Sequence, residues 1–147
     1  MAFLTITFFI FALELILKGE AEEKGVEGQR KLICKEKLYV TKFHNHGAFL
    51  GLGEKKPELL LGISIGISII CTMLFLMTLG RKGKGLLKFS LGLLLGGAYS
   101  NVYDRMKRRY VVDYFGFNVK NDKIRNIVFN ISDFCIMIGA AVAAIRA

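Results

Sequence analysis

Long apolar segments alternate with polar ones along this chain. Residues 2–17 are apolar except for two threonines and Glu14. Residues 58–79 form a longer apolar run behind Pro57, and proline is favoured in the first turn of a helix. A helix of about 20 apolar residues crosses roughly 30 Å of hydrocarbon. The pattern therefore predicts membrane-spanning helices.

Two further apolar segments, residues 86–103 and 127–145, bring the predicted number of transmembrane helices to four. The expected fold class is an all-α membrane protein with a single domain over residues 1–147. Glycines four residues apart share a helix face, where they permit close approach of two backbones. Such pairs predict packing seams in the second and third helices, at Gly62 with Gly66 and at Gly92 with Gly96.

The polar residues 19–56 and 106–126 are expected outside the membrane. Within the first of these segments, residues 37–43 alternate between apolar and polar side chains, as in a half-exposed strand. We therefore expect at least one strand in the part of the chain that lies outside the membrane.

The first apolar segment has two interpretations, a removable signal peptide or a helix that stays in the protein. No Lys or Arg precedes it, and residues 18–22, KGEAE, form a poor cleavage site. Glu14 and Lys18 are also four residues apart, on one helix face. We therefore expect a retained helix.

Composition supports a membrane protein and narrows its partners. Hydrophobic residues make up 53% of the chain, and the mean hydropathy is +0.44. The net charge of +9 comes from basic residues outside the apolar segments, where they can pair with lipid phosphates or fix topology. No basic motif with interleaved aromatic residues is present. We therefore expect membrane lipids as partners and no nucleic acid.

Four helices would place both termini on one side of the membrane. The basic hinge between the second and third helices, residues 80–85, indicates that this side is cytoplasmic. Residues 107–125 are also basic, however, and would fall on the opposite side. Charge alone therefore leaves the orientation open.

Two aspartates interrupt apolar surroundings in the last third of the chain. Asp133 lies within the apolar run at residues 127–138, and Asp113 lies within residues 110–115, YVVDYF. A carboxylate at bilayer depth costs at least ~2.5 kcal/mol, so it marks a functional site by default. The third helix ends at the same membrane face at which the fourth begins. The two carboxylates are therefore expected to share a site at that face.

Further polar side chains are expected to converge there. Asn101 and Asp104 are three residues apart, as are Asn130 and Asp133, so each pair shares a helix face. Simpler interpretations exist for two of them. Asp104 beside Arg105 can form an interfacial ion pair, and Asn130 can cap the start of the fourth helix.

Two carboxylates that face one another repel and lose solvation, which favours one ionised and one protonated member. Such a pair can hydrolyse a peptide bond. One member takes a proton from water while the other donates a proton to the scissile carbonyl oxygen. This chemistry needs no cofactor. His44 and His46 lack a third ligand at suitable spacing, so we expect loop histidines and no metal site.

The residues around these aspartates resemble the conserved core of bacterial lipoprotein signal peptidase, also called signal peptidase II. Residues 96–105, GGAYSNVYDR, are similar to the family's GGAxGNxxDR stretch, residues 111–113, VVD, to its VVDF stretch, and residues 129–133, FNISD, to its FNxAD stretch. Their order and spacing match too. Residues 45–49, NHGAF, are similar to its NxGAAF segment, and Glu14 and Lys18 occupy the place of its Asp and Lys pair.

The resemblance implies a monomeric aspartic endopeptidase of the bacterial cytoplasmic membrane, with Asp113 and Asp133 as its catalytic pair. Its substrates would be diacylglyceryl-modified prolipoproteins, cut just before the lipidated cysteine. It also implies cytoplasmic termini, a site near the extracytoplasmic face, a small β-sheet cradle drawn from residues 30–56, and a flexible amphipathic segment near residues 20–30 or within the outer loops. The supporting residues would be Asn45, Asn101, Asp104, Arg105, Asn130, Glu14 and Lys18.

The chain departs from the family pattern at several positions. Glu14 replaces Asp, Ser100 replaces Gly, Ser132 replaces Ala, one alanine is missing after Ala48, and the usual Trp-Pro between Asp113 and Phe129 is absent. These departures motivate an alternative, a catalytically inactive relative that binds lipoproteins. A small ion or proton transporter is a third hypothesis, but the carboxylates gather at one membrane face and form no chain across it.

Overall fold

The computed structural model describes residues 2–48 and 53–146, whose helices pack around a central one. The helices are α1 (Ala2–Lys24), α2 (Pro57–Leu79), α3 (Gly85–Arg108), α4 (Asp122–Arg125) and α5 (Ile131–Arg146). The strands are β1 (Lys31–Ile33), β2 (Leu38–Asn45), β3 (Val111–Phe117) and β4 (Val128–Phe129), and they form an antiparallel sheet in the order β1-β2-β3-β4. The central helix is α3, which contacts α1, α2 and α5.

The buried core lies between α3 and its neighbours. Leu87, Leu91, Leu94 and Leu95 recur at helical spacing on α3 and pack with Phe75 of α2. The outer sides of α1 and α2 carry large exposed apolar side chains. An extended apolar surface of this kind marks a membrane contact.

Two of the described helices, α1 and α2, are long and apolar enough to cross a membrane. The other two predicted transmembrane helices correspond to α3 and α5. The C-terminal half of α3 is rich in polar and charged residues, and α5 has only 16 residues. The fold is therefore mostly helical with a small antiparallel sheet, and length and composition identify only two spanning helices among the described residues.

The limits of three predicted helices need correction. The third continues to Arg108 instead of ending at residue 103. The first continues to Lys24 instead of ending at residue 17, because residues 18–24, KGEAEEK, consist mostly of strong helix formers. The fourth begins at Ile131 instead of residue 127, because Val128 and Phe129 pair with β3.

Glycine lets the helices approach closely at α3. A Cβ built on Gly96 would lie 2.7 Å from the Cβ of Ile10 on α1, and one built on Gly92 would also crowd α1. The packing seam predicted in α3 is therefore confirmed. Nothing in the described part of the chain would lie within 4 Å of a Cβ on Gly62 or Gly66, so the seam predicted in α2 is wrong.

The strand predicted at residues 37–43 is confirmed as β2, but it belongs to a larger sheet than expected. β2 pairs with β3, placing Asn45 opposite Val111 and Phe43 opposite Asp113. The sheet therefore draws two strands from beyond residues 30–56. Because β3 follows α3 and β4 precedes α5, the sheet lies at the C-terminal end of α3.

Both ends of the described chain lie at the end of the helix bundle that is opposite the sheet. Lys84, just before α3, donates from Nζ to the carbonyl oxygen of Arg146 at 3.4 Å. The ammonium of Lys88 lies 5.8 Å from the ring centroid of Phe3. The start of α1 and the end of α5 therefore lie together, away from the sheet.

Candidate active site

Strand β3 and helix α5 bring Asp113 and Asp133 to one residue, Asn130. The side-chain amide of Asn130 donates to Asp113 Oδ1 at 2.6 Å. Its backbone N–H donates to Asp133 Oδ2 at 3.1 Å, while its Oδ1 accepts from the Asp133 N–H at 3.0 Å. That reciprocal exchange caps α5, as predicted for Asn130. The two aspartates are therefore joined through a single asparagine.

Each carboxylate also accepts a hydrogen bond from a second asparagine. Asn45, at the end of β2, donates from Nδ2 to Asp113 Oδ2 at 2.9 Å. Asn101 of α3 donates from Nδ2 to Asp133 Oδ1 at 3.3 Å. An amide N–H can donate to a carboxyl oxygen in either protonation state. The three predicted asparagines thus hold the pair whichever member carries a proton.

A buried lysine lies behind the asparagines. Lys18 and Glu14 of α1 are fully buried and lie 3.6 Å apart, so the predicted pair is in contact. The Lys18 ammonium donates to Asn101 Oδ1 at 2.7 Å and to Ser100 Oγ at 2.9 Å, and it lies 3.2 Å from Asp104. By binding the oxygen of Asn101, Lys18 turns the amide nitrogen of Asn101 towards the aspartate pair.

Asp104 forms an ion pair, but with different partners from the one predicted. Arg105 donates instead to the carbonyl oxygen of Gly47, at 3.1 Å. The partners of Asp104 are Lys18 and, one turn further along α3, Arg108. Neighbouring residues on a helix face different directions, whereas residues four apart share a face. Arg105 therefore does not form the ion pair that was predicted for it with Asp104.

A cavity of about 60 Å³ lies beside Asp133 and is large enough to hold water. Asp133, Asn45, Asn101 and Arg105 line its polar side, and Ala48, Val111, Ile127, Val128 and Phe129 complete its wall. Arg105 Nε is buried and has no hydrogen-bond partner among the described residues. The cavity therefore offers a place for water between Asp133 and Arg105.

Burial and the nearby Asp133 carboxylate raise the pKa of Asp113 to about 7. Hydrogen bonds from Asn45 and Asn130 act in the opposite direction and lower that pKa. Near neutral pH the Asp113 carboxyl is therefore present in both its acid and its base form. A group with such a pKa can serve as a general acid or a general base.

A family model described as signal peptidase (SPase) II matches residues 6–147. The chain belongs to the signal peptidase II family. The lipoprotein signal peptidase of Clostridium tetani is 34% identical over 127 residues, which cover 86% of this chain and 80% of that protein. The lipoprotein signal peptidase of Halothermothrix orenii is 29% identical over 136 residues, covering 92% and 88%. The resemblance seen in the sequence is confirmed.

Two solved structures of bacterial membrane enzymes share the fold of this signal peptidase II family member. One, determined in meso at 2.3 Å resolution, superposes with a TM-score of 0.81 at 22% identity, covering 98% of this chain and 85% of that one. The other, at 1.9 Å resolution, gives a TM-score of 0.76 at 20% identity, covering 98% and 90%.

Two side chains at the site were not predicted from the motifs. Tyr114 follows Asp113, where the family's VVDF stretch has phenylalanine, and its hydroxyl donates to Glu14 Oε1 at 2.5 Å. Ser132 precedes Asp133, and its hydroxyl donates to Glu14 Oε2 at 2.6 Å. Both residues differ from the family pattern, and this difference is the feature of the sequence that could have identified them as site residues.

The two histidines lie beside the site, and one of them belongs to a strand instead of a loop. His44, in β2, stacks on Tyr110 with ring centroids 4.0 Å apart, and its Nε2 lies 2.9 Å from Glu22. His46 meets the same tyrosine ring edge-on. Among residues 2–48 and 53–146, no three His, Cys, Asp or Glu side chains are grouped as a metal site requires. Phe49, the last residue of the NHGAF stretch, lies outside the described residues.

Proposed function

We propose that this chain is an aspartic endopeptidase that removes signal peptides from diacylglyceryl-modified prolipoproteins, cleaving before the lipidated cysteine. The observation that carries the proposal is the link through Asn130, which holds the buried carboxyl of Asp113 and the half-buried carboxyl of Asp133 to one residue. Membership of the signal peptidase II family supplies the substrate class.

In the proposed mechanism the pair shares one proton, and water adds to the carbonyl carbon of the scissile bond. The ionised carboxylate takes a proton from the water while the protonated carboxyl gives its proton to the carbonyl oxygen. A proton then passes to the amide nitrogen as the C–N bond breaks. The products are a new carboxylate on the signal peptide and a free amine on the cysteine. Arg105, which lines the cavity beside Asp133, would donate to the substrate backbone.

We infer that α1, α2, α3 and α5 all cross the bacterial cytoplasmic membrane, with both termini in the cytoplasm. The basic hinge at residues 80–85 adjoins the end of the bundle where the chain's ends meet. Under the positive-inside rule this end is cytoplasmic. The sheet and the aspartate pair then lie near the extracytoplasmic face, within reach of membrane-anchored substrates.

The proposal is tested with purified protein and a synthetic precursor peptide that carries a diacylglyceryl group on its cysteine. We expect mass spectrometry to detect cleavage on the N-terminal side of that cysteine, and far slower cleavage of the same peptide without lipid. Binding of the lipidated peptide without any cleavage would support the inactive, lipoprotein-binding alternative instead.

The alkaline limit of activity is expected to depend on Asn45. Its hydrogen bond lowers the pKa of Asp113, so Asn45→Ala should raise that pKa. The pair then keeps its shared proton to higher pH, and the alkaline limb of kcat against pH moves upward. Asn118→Ala is the matched control, because Asn118 donates to the Glu36 carbonyl oxygen at an exposed position. An unchanged limb in Asn45→Ala would show that Asp113 does not govern it.

A further inference from the structure

Glu14 contacts the sequence neighbours of both aspartates. Its carboxylate is fully buried. Oε1 accepts from the hydroxyl of Tyr114 at 2.5 Å, and Oε2 accepts from the backbone N–H of Ser132 at 3.1 Å and from its hydroxyl at 2.6 Å. Tyr114 adjoins Asp113 in β3, and Ser132 adjoins Asp133 in α5. One side chain of α1 thus holds the two elements that carry the pair.

The Tyr114 hydroxyl links β3 directly to α5. Besides donating to Glu14, it accepts from the backbone N–H of Ile131 at 3.2 Å. Strand β3 and the first turn of α5 are therefore tied to each other as well as to α1. A buried polar network whose groups are all paired is rigid, and it is costly to break at a single member.

The same three positions depart from the family pattern, which has aspartate, phenylalanine and alanine there. The longer side chain of Glu14 supplies the acceptor, and Tyr114 and Ser132 supply hydroxyl donors that phenylalanine and alanine lack. Changing Glu14 or Tyr114 alone leaves a buried polar group without a partner. Ser132→Ala is milder, because Glu14 Oε2 still accepts from the backbone N–H of residue 132. Changing all three together shortens the carboxylate side chain and at the same time removes the two hydroxyl donors that the longer one reaches.

We propose that Glu14, Tyr114 and Ser132 act as a matched set of positioning residues that sets the spacing of Asp113 and Asp133. This inference rests on the proposed peptidase function. Since displacement of catalytic groups by about 1 Å can lower the rate by about a hundredfold, the set would act on kcat and not on KM.

The test compares Glu14→Asp with the triple variant Glu14→Asp, Tyr114→Phe, Ser132→Ala. We expect Glu14→Asp to lower kcat about a hundredfold with little change in KM, and the triple variant to recover at least about tenfold of that loss because its members match again. Glu14→Asp should also shift the alkaline limb of the pH profile, because the repulsion between the two carboxylates depends on their spacing. Glu23→Asp, an exposed change on the same helix, is the control.

The idea is overturned if the triple variant is no faster than Glu14→Asp, or if the loss in Glu14→Asp equals its loss of folded protein with an unchanged pH profile. If the parent protein itself cleaves no faster than the Asp113→Asn variant, the proposed function is refuted instead. In that case the matched set is tested by thermal unfolding in detergent. The triple variant should have a higher unfolding midpoint than Glu14→Asp, and a lower midpoint would refute the matched set.

Discussion

Replacing either Asp113 or Asp133 with asparagine is expected to lower kcat for cleavage of a lipidated precursor by about 10⁴-fold. An amide can neither take a proton from water nor return one to the leaving nitrogen. The remaining carboxyl cannot serve as acid and base within the same step. The measurement is single-turnover cleavage of the lipidated peptide, with the amount of folded protein determined for each variant.

Folding should survive these substitutions, which separates a chemical effect from a structural one. The raised pKa of Asp113 means that its ionised form is disfavoured in the folded protein, so above its ordinary pKa the carboxylate works against folding. The uncharged amide of Asp113→Asn removes that burden, while one of the two donors, Asn45 or Asn130, loses its acceptor. The two effects oppose each other, so its unfolding midpoint at alkaline pH should lie close to that of the parent.

A matched control and a double variant make the result decisive. Asp122→Asn makes the same change at an exposed residue whose partner is Arg125, and it should cleave at the parent rate. The double variant of Asp113 and Asp133 should be no slower than either single one, because the two groups act as a unit. Turnover within tenfold of the parent in either single variant would refute the dyad.

The sequence predicted those features that short-range patterns and motifs encode. Asp133 stood out because a charge interrupted an apolar run, and the strand at residues 37–43 because its side chains alternate. Capping was one interpretation of Asn130, from its place near the start of the predicted fourth helix, and the structure contains that capping bond. Each of these depends on neighbours within a few residues, which a sequence displays directly.

Features that depend on long-range contacts were missed. Tyr114 and Glu14 are 100 positions apart in the chain, so no local pattern links them. Asp104 was assigned to its neighbour Arg105, although helix geometry favours Arg108, one turn away, and the fold adds Lys18 from another helix. The start of α5 was placed too early because a two-residue strand is as apolar as a helix end.

The second large effect concerns stability, and it is expected at Lys18. This side chain is fully buried, and it lies 3.6 Å from Glu14 and 3.2 Å from Asp104. Lys18→Met keeps the length of the side chain but leaves two buried carboxylates without their shared cation. Removing one partner of a buried ion pair typically costs about 3–5 kcal/mol. We expect a loss of that size in the free energy of unfolding, measured by chemical denaturation in detergent.

The same substitution at Lys24 controls for the loss of a lysine from α1. Lys24 pairs with Glu20 at 2.6 Å, but both side chains are more than half exposed, and exposed pairs contribute little. Lys24→Met should therefore unfold at the parent midpoint. Adding Glu14→Gln to Lys18→Met should recover part of the lost stability, because neutralising the stranded carboxylate removes its burial cost. Equal midpoints for Lys18→Met and Lys24→Met would mean that the buried cluster does not stabilise the fold. The predicted difference arises because water screens the exposed pair and is excluded from the buried one.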